Sequence, residues 1–351
     1  MKNHRKPVQS IRMHESSRRC GTIVRGHHPY SAWTFRYYPL PHAMSYTEVA
    51  ILEPAHDFCF GTDLVLFACP RYSATSNALN PLFLPLREGS TTGGGGGGGS
   101  AELRTLNVQN FPQSDALRVE LSCSGNEKYV AFGHRNGQVS LLDLRQSHTT
   151  TSILQYYDAG SSSSSSVPNN GMLGSACDLA FLKQSPNQLL VKRSFGSCQL
   201  HDLRKSTSNR VPRNVSASSS VVSHLTVPEE ELHRTLSSNC NGFAIDPTSE
   251  QSLIAPYVNQ QHQACLGIWS LGTGCLVGSK TLVQNNPERD VIHMEVCQRT
   301  TPVVETHHKL KLRQQPNTGS SSSFGIWLKC GRFSKGKLDS KFGSLHHVTF
   351  S

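Results

Sequence analysis

Residues 129–145 have the sequence YVAFGHRNGQVSLLDLR, in which two apolar runs of strand length flank a turn signal. Asn136 and Gly137 supply that signal, because a two-residue type I′ turn needs a positive φ at both central positions. The sequence therefore predicts a β-hairpin with strands over YVAFGHR and QVSLLDL. The second strand ends on the polar pattern DLR at residues 143–145, and HDLR repeats this ending at residues 201–204.

Strand-length runs recur around this hairpin in three groups of four. The groups are ALRVELSCS, YVAFGHR, QVSLLDL and TTSILQYY; ACDLAFLKQ, NQLLVKRSF, SCQLHDL and VVSHLTV; and CNGFAID, QSLIAPYV, ACLGIWSL and GCLVGSKTL. Leu142, His201 and Trp269 occupy equivalent places, 59 and 68 residues apart. Serine-rich insertions lengthen these intervals beyond the ~40–45 residues of a typical propeller repeat. Repeated short strands without a competing amphipathic helix favour an all-β fold, a β-propeller.

The stretch YVAFGHRNGQVSLLDLR resembles a WD-repeat blade. Gly133 and His134 lie near the glycine-histidine signature, and Leu142-Asp143 replaces the tryptophan-aspartate pair. The expected fold is a WD40-type β-propeller, seven-bladed or incomplete, with low-complexity insertions. Over roughly residues 115–285 the three groups are similar to the WD-repeat substrate receptors of Cullin-4 ubiquitin ligases, particularly the fourth Cullin-4-associated factor.

In that family two adjacent blades each end in a W-D-x-R box, whose arginines lie on one rim and dock the damaged-DNA-binding adaptor protein of the ligase. The resemblance implies a non-catalytic substrate receptor that presents an unknown protein for ubiquitination. The adaptor-binding residues that it implies are Asp143, Arg145, Asp202 and Arg204. The alternative is that each aspartate pairs with its own arginine or caps a turn, so that the charges only solvate the rim.

Six residues are expected to have structural roles in the blades. The resemblance suggests that His134 and Ser140 belong to a buried hydrogen-bond network between strands. The complete set is Gly133, His134, Asn136, Gly137, Ser140 and Trp269.

The net charge of +10 is concentrated near the two ends of the chain. Residues 1–25 contain seven basic residues and one acidic residue, and residues 308–341 contain eight and one, whereas the rest is slightly acidic. Basic ends suggest a second function, that of a WD-repeat scaffold in a chromatin- or RNA-associated complex. Nucleic acid is the less favoured partner, because solvated basic tails are common.

Enzymatic, cofactor and metal chemistry is not expected. GTGCLVGSKT at residues 272–281 fails the phosphate-binding pattern, because Ser279 separates Gly278 from Lys280. Histidine pairs such as 307/308 and 346/347 lack ligand spacing, since adjacent residues on a strand point to opposite faces. No G-x-S-x-G motif is found.

The predicted domains are a basic disordered segment over residues 1–30 and a propeller over residues 31–351. Insertions are expected near residues 87–101, 159–171, 205–220 and 314–323. No membrane span or signal peptide is expected, and eleven cysteines without a C-x-x-C pair predict reduced thiols. We expect a nuclear or cytoplasmic location. SLHHVTFS at residues 344–351 predicts the first strand of a further blade.

Overall fold

The structure is a computed structural model of the 351-residue chain, and it describes the greater part of the chain in separate ranges. The described residues are 8–14, 19–24, 33–39, 47–51, 54–70, 81–86, 103–109, 111–122, 129–145, 149–150, 152–154, 174–194, 198–206, 221–225, 240–246, 249–259, 264–283, 291–297, 324–334 and 337–350. Within these ranges no helix is long and apolar enough to cross a membrane.

The described residues form six four-stranded sheets, numbered here in chain order by their second strand. Sheet 1 is β1 (Val8–His14), β2 (Arg19–Val24), β3 (Trp33–Pro39) and β4 (Thr47–Ile51); sheet 2 is β5 (Asp57–Phe60), β6 (Leu64–Ala68), β7 (Leu82–Pro85) and β8 (Arg104–Thr105). β9 (Val108–Gln109) pairs in parallel with β13 (Thr149–Thr150) in a separate small sheet. Sheet 3 is β10 (Ala116–Leu121), β11 (Tyr129–His134), β12 (Val139–Asp143) and β14 (Ser152–Leu154).

Three further sheets complete the described fold. Sheet 4 is β15 (Ala176–Phe181), β16 (Gln188–Arg193), β17 (Cys198–Asp202) and β18 (Val221–Leu225), with the single helical turn α1 (Leu203–Ser206) after β17. Sheet 5 is β20 (Ala244–Ile245), β21 (Ser252–Val258), β22 (Ala264–Ser270) and β23 (Leu276–Val283). Sheet 6 is β19 (Cys240–Asn241), β24 (Val291–Cys297), β25 (Phe324–Ser334) and β26 (Lys337–Phe350), with β19 parallel to β24. All twelve predicted strand runs therefore contain strands.

Sheets 3 and 4 repeat each other in detail. Their first strands, β10 and β15, share one sequence of buried and half-buried residues, and so do their second strands, β11 and β16. Each first strand also has an irregular register near its start, at Ala116 to Arg118 and at Ala176 to Asp178. The shared pattern and bulge indicate one repeating unit.

Sheets 1 to 4 pack face to face in order through shared apolar clusters. Phe35 of sheet 1 meets Phe58 of sheet 2 edge to face, with ring centroids 5.0 Å apart. Phe132 of sheet 3 packs in one cluster with Leu66 of sheet 2, and β12 shares another cluster with β15 and β16. Because both faces of a central sheet are covered, the middle strands are almost wholly apolar.

The chain divides into two compact units, residues 1–193 with 201–221 and residues 194–200 with 222–351. Sheets 1 to 3 belong to the first unit, and sheets 5 and 6 belong to the second.

Two predictions about the ends of the chain need correction. Residues 1–30 were expected to be disordered, but they contain β1 and β2, and Ile23 of β2 is completely buried. The basic composition of this segment suggested a solvated tail. In the structure, Arg12 of β1 instead forms ion pairs with Asp57 and Glu120 of other sheets. Residues 344–350 end β26 and pair antiparallel with β25, so they do not begin another sheet. The predicted insertions lie outside the described residues, except positions 205 and 206 in α1.

Candidate functional site

The two Asp-x-Arg patterns stand at the ends of equivalent strands in adjacent sheets. The first box is residues 142–145, which end β12, and the second box is residues 201–204, which lead from β17 into α1. Leu142 and His201, the residues before the two aspartates, are both completely buried. The backbone therefore runs from the core to the surface through each box.

In the first box, Arg145 forms a two-pronged ion pair with Asp143. Its Nε donates to Asp143 Oδ1 at 2.8 Å, and its Nη2 donates to Oδ2. Nη2 also donates to the hydroxyl of Tyr129 at 3.2 Å, and the guanidinium lies over the Tyr129 ring, 5.4 Å from its centroid. Tyr129 reaches this place because it pairs directly with Asp143 across the β11–β12 ladder.

The second box repeats this geometry without the aromatic contact. Arg204 donates from Nε to Asp202 Oδ1 at 3.0 Å and from Nη2 to Oδ2 at 2.7 Å. In both boxes the first aspartate oxygen also accepts the arginine's own backbone N–H at 3.0 Å. This local bond is one that aspartate makes at turns and helix starts. A separation of two residues thus suits both the backbone bond and the ion pair.

The side chains differ sharply in exposure within each box. The aspartates are mostly buried, with 17% of the Asp143 side chain and 8% of the Asp202 side chain exposed. The arginines are exposed by 53% at position 145 and by 69% at position 204. The hydrogen bond to its aspartate raises the pKa of each arginine above its ordinary value, so both remain cationic. The pairing left open by the sequence, of each aspartate with its own arginine, is thus present in both boxes.

The leucine between the charged residues anchors each box. Leu203 is buried in the cluster that joins sheets 3 and 4, and its N–H donates to the Asn187 carbonyl at 2.8 Å. Leu144 packs against the cluster between sheets 2 and 3. Each pattern therefore places a leucine that packs on the core between two charged neighbours, and this leucine is buried at position 203 and half-buried at position 144.

His134 and Ser140 form the expected bond between β11 and β12. His134 Nε2 lies 2.7 Å from Ser140 Oγ, and its Nδ1 lies 3.1 Å from the Ser114 carbonyl oxygen. Both side chains are completely buried, and Phe111 covers the imidazole edge to face at 5.0 Å. The histidine thus ties the hairpin to the segment that precedes β10.

The turn after β11 differs from the predicted two-residue turn. The Gly137 N–H donates to the His134 carbonyl at 3.0 Å, and three residues separate His134 from its partner Gln138. Gly137 has a φ of 84°. Asn136 does not have a positive φ, because Glu250 is the only described non-glycine residue that has one. Asn136 instead accepts the Gln138 N–H at 3.2 Å through its side chain. This is a three-residue hairpin with a glycine bulge, not a type I′ turn.

Gly133 and Trp269 fill their places for steric reasons. A Cβ on Gly133 would lie 2.9 Å from the Ala176 carbonyl oxygen, so glycine lets β11 approach β15 closely. Trp269 is buried in sheet 5, where its ring meets Tyr257 edge to face at 5.8 Å and covers Gly267.

Three structural features were not anticipated from the sequence. Arg193, the largest completely buried side chain among the described residues, donates to the Gly137 carbonyl at 3.1 Å. Tyr129 was missed because it becomes visible only when the hairpin register places it opposite Asp143. The third feature is a group of charged side chains from the first strands of sheets 1 to 3.

We call this group the interior charge cluster, and it consists of Arg12, Asp57, Arg118 and Glu120. Asp57 is completely buried and accepts Arg12 Nε at 3.1 Å as well as the Ser10 hydroxyl at 3.0 Å. Arg12 Nη1 donates to Glu120 at 2.7 Å. Burial opposes ionisation of Asp57, but the charges of Arg12 and Arg118 outweigh it and lower the pKa of the carboxyl.

The remaining sequence motifs show no catalytic or metal geometry in the described part of the chain. GTGCLVGSKT forms the turn and edge strand after β22, with no helix following it there. No cluster of three or more metal-ligating side chains exists within the described ranges. The histidine pairs at 27/28 and 307/308 lie outside these ranges, and the side chains at 346/347 are not described.

Comparison with known proteins identifies the fold. No protein-family model matches the sequence, and no curated protein matches it. Solved structures do match: Sqt1 from Chaetomium thermophilum has 12% identity and a TM-score of 0.55, with 99% of this chain and 73% of that one covered. The WD40 domain of Toxoplasma gondii coronin has 9% identity and a TM-score of 0.51, with 93% and 68% covered. This chain has a WD40-type β-propeller fold.

The β-propeller domain of Cps50 (Swd1) from Myceliophteria thermophila agrees, with 14% identity, a TM-score of 0.50, and coverage of 84% of this chain and 78% of that one. The four-stranded sheets are therefore blades of a propeller, and the two boxes end the third strands of two consecutive blades. The described residues contain six four-stranded blades.

Proposed function

We propose that this propeller is a non-catalytic protein-binding subunit, the substrate receptor of a Cullin-4 ubiquitin ligase. WD40 propellers typically act as protein-binding scaffolds. The observation that carries the proposal is the repeated geometry of the boxes. In each of two consecutive blades, an exposed arginine is held by the aspartate two residues before it. The damaged-DNA-binding adaptor is the partner that the W-D-x-R resemblance suggests for this rim. Such a subunit would work in the nucleus or the cytoplasm.

The mechanism would be proximity. One surface holds the adaptor, another holds the substrate protein, and the partner subunits bring the charged ubiquitin-conjugating enzyme. Bridging raises the effective concentration of the substrate and turns an encounter into a nearly intramolecular step. Arginine suits the docking surface, because its planar head combines hydrogen bonding with stacking and is enriched at interface hot spots.

Co-purification of the adaptor with the full chain tests the proposal. The double variant Arg145→Ala, Arg204→Ala should retain about tenfold less adaptor than wild type, as expected for two hot-spot residues. The matched control is Arg36→Ala, Arg135→Ala, because these arginines also form surface ion pairs, with Glu48 and Asp115, outside the boxes. Equal recovery of the adaptor by all three proteins would refute the proposal.

Nucleic-acid scaffolding, the second function suggested by the basic ends, loses part of its basis at the N-terminus. Arg12 pairs with Asp57 and Glu120, and Arg19 Nη1 donates to the Thr62 carbonyl at 3.0 Å. Deleting residues 1–25 would remove β1 and β2, so a binding test needs charge substitutions instead. A nucleic-acid scaffold should bind RNA more weakly when Lys2→Gln, Arg5→Gln and Lys6→Gln are combined. Unchanged binding would argue against this second function.

A further inference from the structure

Each box holds its arginine through one of the two edges by which a guanidinium binds oxyanions. A carboxylate or phosphate normally takes two parallel hydrogen bonds from such an edge. In the first box Nε and Nη2 of Arg145 already donate to the two oxygens of Asp143, and in the second box the same atoms of Arg204 donate to Asp202. A second oxyanion would have to displace the aspartate to bind at this edge, and in the first box Nη2, which the other edge also needs, donates to the Tyr129 hydroxyl.

The aspartates are fixed more firmly than the arginines. Asp143 and Asp202 are largely buried, and each accepts a backbone N–H in addition to the side-chain bonds. An approaching anion therefore meets a cation that is backed by a fixed negative charge about 3 Å away, and the net attraction at longer range is small. Each box is an ion pair with no net charge.

The remaining surface of Arg145 favours uncharged partners. One side of its guanidinium covers the Tyr129 ring, while more than half of the side chain stays exposed. An exposed guanidinium whose forked edge is occupied still stacks on apolar groups and donates single hydrogen bonds to carbonyl, amide or hydroxyl oxygens. Its orientation is set before the partner arrives, which lowers the entropy cost of binding.

We infer that the two boxes bind an uncharged protein surface of main-chain carbonyl oxygens and apolar side chains, and that Asp143 and Asp202 are positioning residues for the two arginines. The choice of surface rests on the proposed function. The inference adds the chemistry of the partner, because an arginine already paired with a fixed aspartate favours an uncharged surface over an acidic or phosphate-bearing one at the two boxes.

Replacing the aspartates gives a result whose sign distinguishes the alternatives. Asparagine keeps the shape and the oxygen that accepts the backbone N–H, but it loses the charge that holds the guanidinium. Asp143→Asn, Asp202→Asn should therefore weaken binding of the purified adaptor about fivefold or more, because two arginines lose their fixed orientation. An anionic partner surface would instead bind this variant more tightly, since the two guanidinium forks are released.

The adaptor's dissociation constant, measured by calorimetry at 50 and 500 mM NaCl, provides the second readout. Wild type and the single variant Arg204→Ala should show the same salt dependence, because a neutral contact is not screened. Tighter or unchanged binding by the double asparagine variant, or a salt dependence that disappears in Arg204→Ala, would overturn the inference while leaving the adaptor as the partner.

A heparin column tests the box chemistry without the adaptor. Arg145→Ala, Arg204→Ala should elute at the same salt concentration as the control Arg36→Ala, Arg135→Ala, and Asp143→Asn, Asp202→Asn should elute later than wild type. Earlier elution of the box variant than of the control would show an anion site at the rim and overturn the inference. If the adaptor fails to bind wild type, the proposed function is wrong, and the heparin result decides the inference by itself.

Discussion

The interior charge cluster and the two boxes contain the same type of ion pair, an arginine with an aspartate, in different surroundings. Arg12 donates hydrogen bonds from Nε and Nη2 to Asp57, and Arg145 donates from the same two atoms to Asp143. The interior aspartate is completely buried and lies 45 residues from its arginine, whereas the rim aspartate is two residues from its partner. The interior pair joins different blades, and the rim pair joins two positions of one strand end.

This comparison shows that burial and chain separation decide what an ion pair does. A completely buried carboxylate depends on its cation for solvation, so the fold depends on the pair. A half-exposed arginine has water as an alternative partner, and its pair contributes little to folding. Stability should therefore depend on Arg12, and partner binding on Arg145 and Arg204.

Arg12→Ala is expected to cause the largest loss of stability. The substitution leaves the Asp57 carboxylate buried beside Arg118, whose Nη1 is 4.0 Å away, and it removes the link to Glu120. The free energy of unfolding in urea should fall by about 3 kcal/mol, the range found when one partner of a buried pair is removed. Arg36→Ala, at the surface pair with Glu48, is the control and should change it by less than about 1 kcal/mol.

A double variant separates the charge from the packing. Arg12→Met, Asp57→Asn should recover part of the stability lost in Arg12→Ala, because the completely buried carboxylate at position 57 is removed together with its cation, although Glu120 still lacks Arg12. If the double variant is no more stable than Arg12→Ala, the buried charge is not the cause of the loss.

The interior pair should also make stability depend on pH in a defined direction. The folded state lowers the pKa of Asp57, so this carboxyl contributes stability above its unfolded pKa of about 3.9, and the contribution is lost as pH falls through the lowered value. Asp57→Asn should therefore be less stable than wild type at pH 7, and the difference should shrink below about pH 4. Urea unfolding of both proteins at pH 7, 4 and 3 measures it, and a constant difference would contradict the assignment.

The sequence predicted the rim better than the interior, for reasons of chain separation. Asp143 and Arg145 are two residues apart, so the pattern itself contains the pair, and the repeat at residues 201–204 identified its counterpart. The pair of Arg12 with Asp57 depends on the packing of different blades, which no local pattern reports. The basic composition of residues 1–25 therefore predicted a tail where the structure has two strands.

The turn at residues 134–138 shows a second limit of local reasoning. Asn136-Gly137 predicts a hairpin, and a hairpin is present, but the turn type depends on a residue outside it. The Ser114 hydroxyl accepts the Asn136 N–H at 3.1 Å, and the His134 ring binds the Ser114 carbonyl. A tertiary contact thus holds the loop with three residues, which the dipeptide alone does not specify.

Gly133→Ala should have an intermediate effect, because it disturbs the contact between blades without burying a charge. The new methyl group would lie 2.9 Å from the Ala176 carbonyl oxygen and 3.1 Å from its Cβ, so β11 and β15 must move apart. Overpacking of this kind costs about 1–3 kcal/mol in the free energy of unfolding. Gly278→Ala, whose methyl group would lie 3.8 Å from Ile268 Cδ1, is the control and should be nearly neutral. Equal stability of the two variants would show that this contact adapts.

The smallest effect on stability is expected at the rim itself. Arg145→Ala, Arg204→Ala removes two exposed side chains from aspartates that keep their bonds to the backbone, so the melting temperature should fall by much less than in Arg12→Ala. A fall as large as that of Arg12→Ala would mean that the boxes hold the blades together, and it would remove the distinction between the two kinds of pair. Little change in the melting temperature together with lost adaptor binding would show that these arginines serve partner binding and not folding stability, as expected for interface residues.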